Sequence, residues 1–302
     1  MNKYFLSFLL CVSLALCKPA LTEEVSIDTY RGSATVEKGA KAIAVLDIAA
    51  VDTLDALGID IAGMPTPHYV DYLATLAKET KSVGSLFEPD FEKLANMELD
   101  LIVAGGRSSR QYEQLSEVAP TIDMTIWGED HLGQVLARLS AYGKILNKED
   151  AAAALRGELL AKVELAKNTI AGKGNGLIVM ANGPKVSAFG KGSRFGWLHA
   201  ALDLPEAVEG VDEQTHGEVV SFEFIADANP DWLIVIDRAA AIGQSGDTAS
   251  ETLNNALVQT TNAWKNKNLV YLNSANIYIA GGGIQSMNQT LDEVIVAFGA
   301  KN

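Results

Sequence analysis

From Ala42 onward, short runs of aliphatic residues alternate with segments whose apolar positions recur every three or four residues. KAIAVLD (41–47) leads into IAAVDTLDALG (48–58) and IDIAGMP (59–65). A helical FEKLANME (91–98) precedes the buried-strand run LDLIVAG (99–105). A glycine turn at Gly105-Gly106 follows, then helical SRQYEQLSEVA (109–119), Pro120 and the strand TIDMTIW (121–127). This alternation predicts an α/β unit built on a mostly parallel sheet. Residues 130–171 carry no strand pattern. Leu132, Val135, Leu136, Leu139, Tyr142, Ile145 and Leu146 are spaced for one helix face, and the pattern resumes from Ala151 to Ile170, with Asn147 as the candidate break. A second α/β series restarts after Gly172–Gly176: LIVMA, KVSAF, helical WLHAALD, WLIVID, helical SETLNNALVQT, LVYLN, and a final helix around Met287–Phe298. The predicted architecture is two α/β lobes with mostly parallel sheets, joined by a single long interlobe helix, with a ligand cleft between them. Its boundaries are an N-terminal lobe over 21–128, a linking helix over 129–172 and a C-terminal lobe over 173–302.

The two halves share an internal repeat. FEKLANMELDLIVAGGR (Phe91–Arg107) aligns without a gap on FEFIADANPDWLIVIDR (Phe222–Arg238), with Phe, Glu, Ala, Asp and Arg in register. In each copy a helix leads through an aspartate into a buried strand, and an arginine lies just past the strand's carboxyl end, the side on which open α/β sheets bind ligands. Two lobes facing one another therefore bring Arg107 and Arg238 into one cleft.

The N-terminus reads differently. After Lys3, the uncharged run Tyr4–Leu16 has the length of a signal-peptide core and is too short to span a bilayer comfortably. Residues 1–20 are read as a secretory leader and the product as periplasmic. Leu14-Ala15-Leu16-Cys17 resembles a lipoprotein box, with Leu16 where a small residue is wanted, so anchoring through Cys17 stays open. Both cysteines, Cys11 and Cys17, lie in this stretch, so cleavage past Cys17 leaves no thiol for disulfides, metal sites or nucleophilic catalysis. The formal net charge of −14 argues against nucleic-acid and anionic-membrane partners.

Catalytic signatures are missing: there is no Gly-x-Ser-x-Gly elbow and no phosphate loop, and Gly190–Gly196 departs from dinucleotide spacing. His68, His131, His199 and His216 are scattered. What remains is cationic and aromatic. Arg107 in Gly-Gly-Arg-Ser-Ser, Arg194 in Gly-Ser-Arg-Phe-Gly and Arg238 after a strand are candidates for an anion site, because guanidinium forks match planar oxygen anions and stack on rings. The competing reading pairs each with a nearby carboxylate, as Arg238 with Asp237. His216 in Thr-His-Gly and Tyr278 before Gly281-Gly282-Gly283 suit a ferric centre with open coordination sites; the alternative is a loop histidine and a strand tyrosine without partners. Trp197, Trp232 and Trp264 read as packing residues.

Gly-Ser-Arg-Phe-Gly-x-x-His, Thr-His-Gly, the stretch from Phe222 to Arg238 and Phe-Glu-Pro-Asp-Phe-Glu-Lys-Leu (87–94) together resemble the periplasmic ferric-siderophore-binding proteins of ABC importers, in the long-helix-hinged class and its catecholate branch. The resemblance covers nearly the whole chain after the leader. It implies a transport protein without catalysis or intrinsic cofactor, monomeric, whose ligand is an Fe(III)-siderophore held by Arg107, Arg194 and Arg238. His216 and Tyr278 would ligate iron only where the siderophore leaves sites open. His216 is followed by Gly-Glu-Val where the family would suggest Gly-Lys-Ser. The resemblance also implies docking to an inner-membrane ABC permease through an acidic residue on each lobe, Glu88 on the first and Glu206 or Glu209 on the second. Haem, cobalamin or hydroxamate carriage on the same scaffold, and an exported enzyme using His216 as base, are the competing classes.

Overall fold

The computed structural model describes residues 23–211 and 217–300. The leader with Cys11 and Cys17, and His216, lie outside the described residues.

The first described element is one the hydrophobic pattern did not mark, a hairpin of β1 (Glu24–Thr29) and β2 (Gly32–Glu37). It packs on the helix His131–Ile145, where Arg138 donates to the carbonyls of Asp28 (2.8 Å) and Thr125 (3.1 Å). The first sheet follows: β3 (Ile43–Val45), β4 (Gly63–Met64), β5 (Lys81–Ser82), β6 (Leu101–Ala104) and β7 (Thr121–Asp123), in spatial order β5-β4-β3-β6-β7 and parallel throughout. Every residue of β3 and β6 is buried, as both faces of a helix-covered parallel sheet require.

The second sheet contains β8 (Gly176–Asn182), β9 (Lys185–Phe189), β10 (Glu218–Val220), β11 (Trp232–Asp237) and β12 (Leu269–Tyr271) in order β10-β9-β8-β11-β12. Strands β8, β11 and β12 run parallel, whereas β9 runs antiparallel to both β8 and β10. A tight turn at Asn182–Lys185 takes the place of a crossover helix here, so this sheet is mixed.

The helical stretch between the lobes breaks at Asn147, whose φ of +55° ends one helix and starts another. His131–Ile145 lies against the first lobe's hairpin, and Glu149–Ile170 runs for 22 residues, about 33 Å, between the lobes. Its buried stripe is Leu159, Val163, Ala166 and Ile170. The helix Ile284–Gly299 packs along it with a stripe at matching spacing, Met287, Leu291, Val294 and Phe298. Lys162 and Asp292 pair at 2.8 Å across this contact, and Phe298 stacks on Trp232 with centroids 3.8 Å apart. The expected packing roles hold for Trp197 and Trp232, both nearly inaccessible, and Trp264 is partly buried against the second lobe's core.

Helix Ile284–Gly299 also reaches the first lobe. Its N-terminus meets the helix Ile48–Ala56, and the fully buried Asp52 accepts from the backbone N–H groups of Gln285 (2.8 Å) and Ser286 (2.9 Å) and from the Tyr72 hydroxyl. Gln285 returns a hydrogen bond from Nε2 to Asp55 at 2.8 Å. An acid of one lobe thus caps a helix of the other. Gly282 and Gly283 permit this approach: Gly282 has φ +97°, and a Cβ on Gly283 would lie 2.4 Å from Cγ of Asp52. Burial raises the Asp52 pKa to about 7 against these donors.

Candidate functional site

The repeat is realised twice in space. In the first lobe the helix Phe91–Ala95 leads to Asp100, whose carboxylate accepts from the N–H groups of Lys41 and Ala42, both at 2.8 Å, as the chain enters β3. In the second, the helix Phe222–Ala228 leads to Asp231, which accepts from Asn175 N–H (3.1 Å) as the chain enters β8. Each aspartate thereby ties its own central strand, β6 or β11, to the neighbour on one side. Each strand then delivers an arginine beyond its carboxyl end.

The Arg107 turn is fixed from below. Gly106 N–H donates to Thr125 Oγ1 (2.8 Å), which donates to Asp123 (2.6 Å), and Ser109 Oγ donates to the same buried carboxylate (2.5 Å). The Arg194 turn is closed by Ser193, which donates to the Gly190 carbonyl at 2.6 Å, and by Glu206, which accepts from Lys191 N–H at 2.7 Å. Arg238 opens a short helix, Arg238–Ala241. The Asp237 carboxylate is committed to the N–H groups of Ala240 (3.0 Å) and Ala249 (2.7 Å), and Arg238 itself lies 3.4 Å from the Asn182 side-chain oxygen.

All three guanidiniums converge on Tyr278, which sits on the helix Ser274–Ile279 rather than on a strand. Arg107 donates to its carbonyl at 3.1 Å, and Arg194 donates to the same oxygen. Their Cζ atoms stand 5.3 and 4.3 Å from its ring centroid. Burial alone would raise the phenol's pKa, but Arg194, a hydrogen bond from Arg238 and the charge of Arg107 together carry it below the usual tyrosine value. Burial and the neighbouring Arg107 push Arg194 down to about 10, which leaves it cationic at neutral pH. Asp47, which caps the helix Ile48–Ala56, faces this group; burial raises its pKa to about 6 despite the attraction of Arg107.

Two participants were not singled out by sequence reasoning. The Phe87 ring stands 6.0 Å from Arg107, and Phe195 stands 5.0 Å from Arg194. Rings and cations therefore alternate across the junction in the order Phe87, Arg107, Tyr278, Arg194, Phe195. His131, one of the scattered histidines, also lies at the lobe junction: it stacks on Trp197 with centroids 6.0 Å apart, and burial with Arg194 nearby lowers its pKa to about 4. Next along the interface, a cavity of about 560 Å³ is lined by Tyr69 and Asp71 from the first lobe and by Asp237, Thr248 and Tyr271 from the second. His199 is buried with Nδ1 2.9 Å from the Leu204 carbonyl, and His68 accepts from Val70 N–H. Among the described residues no group of three His, Cys, Asp or Glu side chains is placed to hold a metal ion. This arrangement can do one thing well: hold a planar, delocalised anion between two lobes by charge and stacking.

The profile of the periplasmic binding protein family matches residues 43–275. The chain belongs to that family. Among the family's characterised relatives, it is 35% identical to the petrobactin-binding protein YclQ of Bacillus subtilis over 96% of each chain, and 29% identical to the ferric-anguibactin-binding protein FatB of Vibrio anguillarum over 95% of this chain and 94% of that one. The crystal structure of YclQ superposes with a TM-score of 0.86, covering 91% of this chain and 99% of that one at 36% identity. The catecholate-siderophore-binding protein VctP of Vibrio cholerae gives 0.85, covering 91% of this chain and all of that one at 31% identity.

Proposed function

We propose that this periplasmic binding protein is the substrate-binding component of an ABC iron importer and captures an anionic ferric catecholate siderophore between its lobes. The observation that carries this reading is the convergence of Arg107, Arg194 and Arg238 on Tyr278. A ferric tris-catecholate carries three negative charges, and three guanidiniums in a partly dehydrated cleft balance them. The names of the relatives, which bind petrobactin and ferric anguibactin, support the same cargo class. Arg107 comes from one lobe and Arg194, Arg238 and Tyr278 from the other, so the ligand bridges them. Where the siderophore supplies fewer than six donor atoms, Tyr278 and His216 complete the iron shell. The protein acts without catalysis and as a monomer in the periplasm.

Delivery runs to an inner-membrane permease. Glu88 is exposed on the first lobe. On the second, Glu206 holds the Arg194 turn through Lys191, so the neighbouring, exposed Glu209 is the freer docking charge.

The test is a titration of purified protein with ferric catecholate, ferric hydroxamate and haemin, followed by tryptophan quenching. Saturable binding of the catecholate with weaker hydroxamate and haemin binding is expected, and affinity falls with added salt. Preference for haemin or a neutral hydroxamate would overturn the reading.

A further inference from the structure

Phe87 is 62% exposed, yet its position is tightly fixed. Ser85 N–H donates to the Glu88 carbonyl at 2.9 Å, and Ser85 Oγ accepts from Phe87 N–H (3.2 Å) and Glu88 N–H (3.0 Å). Gln111, in the turn Ser108–Gln111 that follows β6, donates to the Phe87 carbonyl at 2.9 Å. At the base of the turn Gly84 has φ +102°, and a Cβ there would lie 2.4 Å from the Glu88 carbonyl oxygen. Both backbone polar atoms of Phe87 are therefore used by side chains whose effect is to display its ring rather than bury it.

The ring is displayed beside Arg107, at the end of the alternating series of rings and guanidiniums. The opposite end is closed, because Phe195 is fully buried and packs edge-on against Phe189 with centroids 4.7 Å apart. The Phe87 end is open. A flat group that presents a π face to Phe87 and anionic oxygens to Arg107 extends the series by one member; a chelate with carboxylate or hydroxamate arms offers the charge without the face.

We propose that Phe87 is a specificity-determining residue that selects ligands bearing an aryl ring, by stacking on that ring while Arg107 holds its oxygens. This rests on the ferric-siderophore reading of the cleft and goes beyond it, because it assigns the discrimination between aromatic and aliphatic iron chelates to one side chain.

The experiment compares wild type, Phe87→Ala, Phe87→Leu and Phe87→Trp, titrated with the ferric complex of dihydroxybenzoate and with ferric citrate. As an exposed position, residue 87 tolerates all three changes, and circular dichroism checks that the variants fold. The expected result is an affinity for the dihydroxybenzoate complex about 3- to 10-fold weaker in Phe87→Ala and Phe87→Leu and restored in Phe87→Trp, with citrate binding unmoved. Leucine separates ring stacking from simple apolar cover. Equal losses for both chelates would overturn the assignment, since Phe87 would then only position Arg107. Unchanged affinities together with lowered iron uptake in cells would also overturn it and place Phe87 on the permease-facing rim beside Glu88. If wild type binds neither chelate, the reading of the cleft itself falls, an outcome distinct from failure of the variants alone.

Discussion

The two copies of the helix–aspartate–strand–arginine unit have one frame and two settings. Asp100 and Asp231 both secure the chain entering the neighbouring strand, and β6 and β11 both end in an arginine aimed at Tyr278. Around that frame the lobes diverge. Arg107 faces Asp47, a carboxylate that burial makes proton-sensitive near pH 6, and is flanked by an exposed aromatic ring. Arg238 follows an aspartate already committed to two backbone N–H groups. The first lobe also supplies Asp52 to the junction, where it caps the helix Ile284–Gly299. The frame sets where charge is placed, and the surroundings set how that charge responds to pH and ligand.

The largest expected effect tests the junction. Burial raises Asp52 from 3.8 to about 7, so the fold retains a proton that the unfolded chain releases between those values. The resulting stabilisation is complete below about pH 4 and is lost as pH rises through about 7. Three pH units correspond to on the order of 4 kcal/mol. Urea unfolding should show wild type losing ground by up to that amount against the non-titrating Asp52→Asn between pH 4 and 8; parallel curves would mean that the junction carries no such proton.

Next in size is the arginine pair. Arg107→Ala and Arg238→Ala should each cost about 1.5–3 kcal/mol, roughly 10- to 150-fold in ferric catecholate affinity. If one variant retained full affinity, the two copies would share geometry without sharing the task.

Smaller still are the frame aspartates. Asp231 accepts from Asn262 Nδ2 as well as from Asn175 N–H, whereas Asp100 is exposed and serves two neighbouring N–H groups. Asp231→Ala should therefore lower stability by about 1–3 kcal/mol and Asp100→Ala by less, as read by thermal unfolding. The reverse order would show that the first lobe depends more on its strand tie.

The smallest effect lies at Asp47. Protonation through about pH 6 removes a negative charge facing Arg107, so an anionic ligand should bind a few-fold tighter below that pH. Asp47→Asn, which keeps an oxygen able to cap Ala50 N–H, should show the tighter binding at neutral pH and a flatter profile.

The alternation of strand and helix and the register of the repeat were legible because buried parallel strands require unbroken aliphatic runs, as in Leu101–Ala104 and Trp232–Asp237. The break at Asn147 was legible for a similar local reason, since asparagine tolerates left-handed backbone. Three features were not. The β1–β2 hairpin depends on Arg138 and on Asp123, whose carbonyl accepts from Tyr30 N–H, both distant in sequence. The antiparallel β9 is set by a tight turn that leaves its hydrophobic run unchanged. Phe87 and Phe195 carry no local mark of a site, because each forms its ring–cation pair inside its own lobe and the two pairs become one series only when the lobes meet at Tyr278. Asp52 did leave one signal, an acid among the apolar residues of IAAVDTLDALG, but the two backbone N–H groups it caps lie more than 230 positions away.

That separation has a consequence for biogenesis. Synthesis from the amino terminus presents Ile48–Ala56 long before Gln285 and Ser286 emerge, so the Asp52 carboxyl group lacks two of its hydrogen-bond donors until the chain is nearly complete. The first lobe therefore remains incompletely consolidated until the helix Ile284–Gly299 arrives, and final assembly waits on a contact that spans nearly the whole polypeptide.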